Sequence, residues 1–179
     1  PRKKLPKGMP DAVTTIFKKC FKEGEGVRIA LPRETGISRG ACKSVDEWLD
    51  MYGSAGEDMF GSKGTYICVN PLLIGGIADK DVIDYRHCLV EFDDGALEEQ
   101  YAVLRESGLP LSALIYSGGK SMHGWVKVGA RDRQSFDERV KEIYKSMERY
   151  RVDGQNKNPS RLSRLPGVRR GGQMQELLG

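Results

Sequence analysis

Glu91 and Asp93 stand one residue apart in the stretch Cys88-Leu-Val-Glu-Phe-Asp-Asp94. On a strand, alternate side chains leave the same face, so both carboxylates point one way while Val90 and Phe92 pack behind them. Their Cα atoms then lie about 7 Å apart, at a rise of about 3.3 Å per residue. Two hard oxygen donors at that spacing can converge on divalent cations, and paired cations suit phosphoryl or nucleotidyl transfer. Taken alone, an acid-x-acid pair fits a solvated edge strand as readily, so the rest of the chain has to decide.

A second stretch is Ser117-Gly-Gly-Lys120, running on into Ser121-Met-His123. Gly118 and Gly119 allow a tight turn whose backbone amides, with Lys120, are natural partners for phosphate. The turn is not a Walker A loop. That motif needs Gly at position 114, which is Leu114 here, and a following helix, whereas this Lys-Ser leads into an alternating strand pattern. On that strand Ser121, His123 and Trp125 share one face, and Met122, Val126 and Val128 the other. A sheet histidine that is merely hydrogen-bonded is the ordinary alternative for His123.

The third stretch holds Val152-Asp153, Asn156, Asn158 and Pro159-Ser-Arg-Leu-Ser-Arg-Leu-Pro-Gly167. Asp153 can complete a carboxylate cluster with Glu91 and Asp93. Arg161 and Arg164 offer planar forks suited to phosphate oxygens, although a surface loop with solvated arginines carries the same letters.

The elements that must position these groups follow from periodicity. Residues 1–9 read as a basic, Pro-containing arm, followed by an amphipathic helix from Asp11 and a short strand Val27–Leu31. Residues 32–43 read as loop, and Ser44-Val-Asp-Glu47 is a capping box that opens a brief helix. Residues 53–64 are glycine-rich and irregular, and Thr65–Val69 is a strand. Then come the acidic strand 86–93, a helix over Leu97, Tyr101 and Leu104, and a strand Leu111–Tyr116. A strand Ser121–Val128, a helix capped by Asp132 and a strand opening at Arg151-Val-Asp153 complete the series. The order is β-α-β-β-α-β, an α/β (α+β) core of the ferredoxin-like, RNA-recognition-like kind with one sheet face free for a ligand. Residues 1–64 are expected to form an arm and an additional N-terminal α/β layer, and residues 65–179 the catalytic core, in one compact unit.

Composition narrows the class. Hydrophobic residues at 39% and charged residues at 30% suit a soluble domain, and no apolar run or leader suggests a membrane or export, so a cytoplasmic setting is expected. The chain starts at Pro1 rather than Met, which is expected of a piece excised from a longer protein. Net charge is only +4, but Arg161, Arg164, Arg169 and Arg170 crowd one stretch, and Arg2, Lys3, Lys4 and Lys7 the start. Such clusters can neutralise phosphates. Cys20, Cys42, Cys68 and Cys88 are too widely spaced for a zinc ribbon or redox pair and are expected to be buried thiols.

Together, Glu91-Phe-Asp93, Ser121-Met-His123 and Val152-Asp153 resemble the three motifs of the archaeo-eukaryotic primase superfamily, in order on a β-α-β-β-α-β core. SGGKSMHGWV and NPSRLSRLPGVRR are similar to the primase-polymerase domains of phage, plasmid and bacterial mobile-element replication proteins, over residues 65–178. Glu91 departs from the Asp of many members. The resemblance implies a nucleotidyltransferase in which Glu91, Asp93 and Asp153 hold two divalent ions, Mg²⁺ or Mn²⁺. It implies that Ser121, His123 and the turn Gly118, Gly119, Lys120 bind the β- and γ-phosphates, with Arg164 and Arg161 on the triphosphate or template. Asn70 and Arg86 stand where a nucleotide or template contact is possible, and equally where a strand-end cap and a structural ion pair would sit. The implied partners are a single-stranded DNA template, (d)NTP substrates and a fused or associated helicase. A non-catalytic nucleic-acid-binding module and a metal-dependent nuclease are the competing classes.

Overall fold

The computed structural model describes residues 4–179, so Arg2 and Lys3 of the basic start lie outside the described residues. In chain order the elements are α1 (Ala12–Cys20), β1 (Gly26–Ala30), β2 (Ala41–Ser44), α2 (Val45–Ala55), β3 (Tyr66–Cys68), β4 (Tyr85–Glu91) and α3 (Leu97–Glu106). β5 (Leu111–Tyr116), β6 (Met122–Ala130), α4 (Arg133–Ser146), β7 (Leu162–Arg164), β8 (Arg169–Arg170), β9 (Gln173–Met174) and β10 (Glu176–Leu177) follow. No helix among the described residues is long and apolar enough to cross a membrane.

The β-α-β-β-α-β core is built on a sheet of order β10-β5-β6-β4, with antiparallel neighbours throughout. α3 and α4 cover one face, where Val90, Phe92 and Val126 pack with Leu104, Phe136 and Val140. Asp132 caps α4 as its sequence position predicts, its carboxylate accepting the Ser135 N–H at 2.8 Å. The expected last strand shrinks to one antiparallel bridge, Phe92 to Val152. It is flanked by Asp153 N–H to Glu91 C=O at 2.8 Å and Asp93 N–H to Arg151 C=O at 3.1 Å. The strand stops there because the Asp153 carboxylate accepts the Gln155 N–H at 2.9 Å, turning the chain away.

The expectation of a free sheet face is corrected. Leu89, Ala113, Ile115 and Trp125 are buried against Val27, Ile29 and Ile67 of a second sheet and against Ile16 and Phe17 of α1. That sheet has the order β2-β1-β3-β7. The cause is in the strands themselves: Cys88-Leu-Val90 and Ala113-Leu-Ile115 are apolar on both faces, and such strands need cover on both. The sheet end that carries Glu91 and His123 meets polar groups instead, with Ser121 and Ser163 against the imidazole.

Two local readings also change. Residues 41–43, read as loop, form with Ser44 an edge strand paired with β1 from Gly26↔Ser44 to Ile29↔Ala41; Ala-Cys-Lys-Ser carries no β-branched signal, so tertiary pairing alone makes it a strand. α2 runs eleven residues, through Gly53 to Ala55, and ends in a 3₁₀ turn at Gly56–Phe60. Its cap is the predicted one, Ser44 Oγ accepting the Glu47 N–H at 3.2 Å. A line drawn between residues 64 and 65 leaves β1 and β2 on one side, and β3 and β7 of the same sheet on the other. All four cysteines are buried free thiols, as expected.

Candidate active site

Glu91 ends β4, and its register partner across the sheet is His123 of β6. The Phe92–Val152 bridge sets Asp153 on the other side of Glu91, so β6, β4 and the segment after α4 bring three motifs to one sheet end. Asp93 continues the strand direction past Glu91 and is exposed. The Glu91 carboxyl is half-buried and titrates above its ordinary range: burial is the main cause, Asp153 and then Asp93 push the same way, and Arg161 and Arg164 oppose them. Glu91 therefore feels both aspartates. Among the described residues, no three His, Cys, Asp or Glu side chains stand close enough to hold a metal ion as they lie. Like charges diverge, and Asp153 is turned toward the Gln155 N–H. As a donor set, three hard carboxylates beside a half-buried site fit Mg²⁺ or Mn²⁺.

Ser121 and His123 are both buried. His123 Nε2 lies 3.2 Å from Ser121 Oγ and 3.6 Å from a Glu91 oxygen. Its Nδ1 lies 2.9 Å from Ser163 Oγ of β7. Burial, with Arg164 and Arg170 nearby, pushes the imidazole down to about 3, so it is neutral at physiological pH. The glycine turn is fixed from two sides. Gln100 of α3, buried, donates to the Lys120 and Gly95 carbonyls at 3.0 and 2.9 Å and accepts the Met122 N–H at 2.8 Å. Arg170 donates to the Ser117 carbonyl at 3.1 Å. A Cβ on Gly119 would lie 2.7 Å from Arg170 Nη1, so the bare turn is what lets that guanidinium lie against it. Lys120 itself is exposed.

Arg164 is the most telling group. It is 9% exposed, its guanidinium lies 3.8 Å above the Tyr66 ring, and its Nη1 has no hydrogen-bond partner among the described residues. Burial drives its pKa down, with Arg170 adding to that and Tyr66 and Glu91 opposing it. A buried, unpaired donor on a cation is costly unless an anion completes it. Arg161 is tied instead through Asn156, donating at 2.6 Å to its carbonyl oxygen while the Asn156 amide donates to Glu91 at 3.4 Å.

No protein-family model matches the chain, and no curated protein matches it. Solved structures do. The AEP domain of the cyanophage S-2L primase-polymerase aligns with a TM-score of 0.63 at 21% identity, over 97% of this chain and 91% of that one. The catalytic domain of primase RepB′ in complex with initiator DNA aligns with a TM-score of 0.62 at 20% identity, over 94% and 85%. A further structure of primase RepB′ aligns at 0.56 and 19% identity, over 92% of this chain and 55% of that one. The chain has the archaeo-eukaryotic prim-pol fold.

Within the prim-pol fold, the two residues left open by the sequence lie outside the carboxylate cluster. Asn70 is fully buried and clamps β3 to β4: its amide donates to the His87 and Pro159 carbonyls, and its oxygen accepts the Arg86 and His87 N–H groups. Arg86 forms a bidentate pair with Glu25 and donates to Asp84 at 2.8 Å. These bonds are of the kind a strand-end cap and a structural ion pair make. Ser163, Gln100 and Arg170, in contrast, carry no individual signal in the sequence, because each reaches the site from a distant part of the chain. Arg170 has only its membership of the arginine cluster to mark it.

Proposed function

We propose that the chain is the catalytic domain of a DNA primase or primase-polymerase, a template-directed nucleotidyltransferase that joins a (d)NTP to a nucleotide or primer 3′-hydroxyl. The observation that carries this reading is Arg164, a buried guanidinium whose Nη1 has no partner among the described residues, near a Glu91 carboxyl that Asp153 and Asp93 repel. A triphosphate supplies the anion that Arg164 lacks. In the reaction the 3′-hydroxyl oxygen bonds to the α-phosphorus, the bond to the β-phosphate oxygen breaks, and pyrophosphate leaves. Arg164, Lys120 and Arg170 hold the β- and γ-phosphates by charge, while Ser121, His123 and the Gly118–Gly119 amides orient them. Glu91, Asp93 and Asp153 would hold two divalent ions, Mg²⁺ or Mn²⁺, which when bound supply the charge that activates the hydroxyl and neutralises the leaving pyrophosphate. No covalent nucleophile is needed.

Single-stranded DNA is the proposed template, and a similar fold solved with initiator DNA supports a nucleic-acid partner. A helicase, fused or associated, and a cytoplasmic setting complete the reading. The test is primer synthesis on single-stranded DNA with Mg²⁺ or Mn²⁺ and labelled nucleotides, without and with a supplied primer, beside Asp93→Ala. Products that disappear in the variant are expected. Template binding without synthesis in either format, or shortening of a labelled primer, would reject the proposal.

A further inference from the structure

Around His123 the hydrogen bonds form a chain whose direction one residue decides. Trp125 Nε1 and His123 Nδ1 both lie 2.9 Å from Ser163 Oγ, and all three residues are buried. An indole N–H can only donate, so Ser163 Oγ accepts from Trp125. The Ser163 hydroxyl proton then has one acceptor among the described residues, His123 Nδ1. If Nδ1 carried a proton instead, Ser163 would accept twice and its own fully buried O–H would have no acceptor, a strongly disfavoured arrangement. His123 Nδ1 is therefore the acceptor, and the neutral ring carries its proton on Nε2. That proton points to Ser121 Oγ at 3.2 Å, and Ser121 Oγ in turn donates to Ser117 Oγ at 3.1 Å. Every bond from Trp125 to Ser117 runs the same way, and such aligned chains strengthen one another.

We propose that Ser163, oriented by Trp125, is the positioning residue that holds His123 as its Nε2–H tautomer, so that the imidazole presents a donor and not a lone pair to the phosphate site. The assignment of the tautomer stands on the hydrogen bonds alone; its use on a triphosphate rests on the function proposed above. The donor form matters because a neutral imidazole with its lone pair toward a phosphate oxygen repels it, whereas Nε2–H binds it without adding charge beside Glu91.

The other histidine is an internal control. His87 Nδ1 faces the Val69 carbonyl at 3.0 Å, which can only accept, and its Nε2 faces Ser112 Oγ at 2.8 Å. His87 is thus the Nδ1–H tautomer, opposite to His123, and these are the only two histidines in the chain. Long-range ¹H–¹⁵N NMR on the wild-type protein is expected to show one ring of each kind, each assigned by its own substitution. In Ser163→Ala, His123 is expected to become a mixture of tautomers while His87 is unchanged. The apparent nucleotide KM should rise about three- to tenfold, the equivalent of one hydrogen bond, with kcat within about twofold. A wild-type His123 protonated on Nδ1 overturns the proposal whether or not the variant folds. So does a Ser163→Ala protein that keeps the Nε2–H form or an unchanged KM. If the wild type makes no product, inorganic tripolyphosphate is the probe: movement of the His123 Nε2–H signal supports the positioning role while the nucleotidyl-transfer reading fails, and no movement overturns the role.

Discussion

At the scale of residues, the site holds charges that the fold alone would not keep. Glu91 titrates above its ordinary range because burial, Asp153 and Asp93 all oppose its charge. The penalty is absent at low pH, where the carboxyl is protonated folded or unfolded. It builds as pH rises from the unfolded value through the raised folded one. Glu91→Gln is therefore expected to abolish synthesis, by about a hundredfold or more, and yet to stabilise the protein by about 0.5–1 kcal/mol at pH 7. Urea melts should show that gain shrinking as pH is lowered through the carboxylate range. Asp93 is exposed, so Asp93→Ala should match it in lost activity but move stability by less than about 0.5 kcal/mol. Equal stability changes in the two variants would contradict the burial argument for Glu91.

At the scale of elements, the two sheets meet the site through turns whose glycines have different duties. Gly64, at φ +89°, precedes β3, and a Cβ there would lie 2.8 Å from both Arg164 Nη1 and Gln175 Oε1. Gly64→Ala should cost roughly 1–3 kcal/mol from the backbone conformation and raise the nucleotide KM by displacing Arg164. Gly53 sits inside α2, and a Cβ there would meet nothing within 4 Å. Gly53→Ala should instead stabilise by about 0.5–1 kcal/mol with unchanged kinetics. Thermal melts with steady-state kinetics on the pair separate a glycine needed by the site from one that is merely tolerated. The helices were legible because their periodicity and caps are local: Ser44 and Asp132 both cap as their spacing predicts. β2 was not, since an Ala-Cys-Lys-Ser strand exists only because β1 has an unpaired edge.

At the scale of the whole molecule, Arg86 fastens the N-terminal layer to the β10-β5-β6-β4 sheet. It pairs with Glu25, next to β1, and donates to the Cys20 carbonyl at the end of α1 at 3.1 Å. Burial by itself would raise the Glu25 carboxyl, but hydrogen bonds from Arg86 and the Lys22 N–H hold it below its ordinary value. Its contribution is thus present above the unfolded carboxylate pKa and lost as pH falls through the lower folded one. Arg86→Met should cost roughly 1–3 kcal/mol at pH 7, between the small value of exposed pairs and the larger one of buried pairs. The difference from wild type should fade in chemical denaturation below about pH 4. A loss that stays constant across that range would show that the arginine stem, and not its charge, holds the layers together.

The sequence by itself determined the succession of core elements from β4 to α4 and two helix caps, because each rests on periodicity or spacing within one element. It also placed Ser121 and His123 on a common face, where their side chains meet at 3.2 Å, since a strand alternates whatever surrounds it. Only the tertiary structure decided that the second sheet covers the face expected to be open, and which groups Asn70 and Arg86 bind within the protein. It also brought Ser163 to His123 from 40 residues away. Those outcomes depend on which buried polar group finds which partner across layers. Hydrogen-bond satisfaction in a packed interior is a property of the assembled fold, with no periodic trace in the chain.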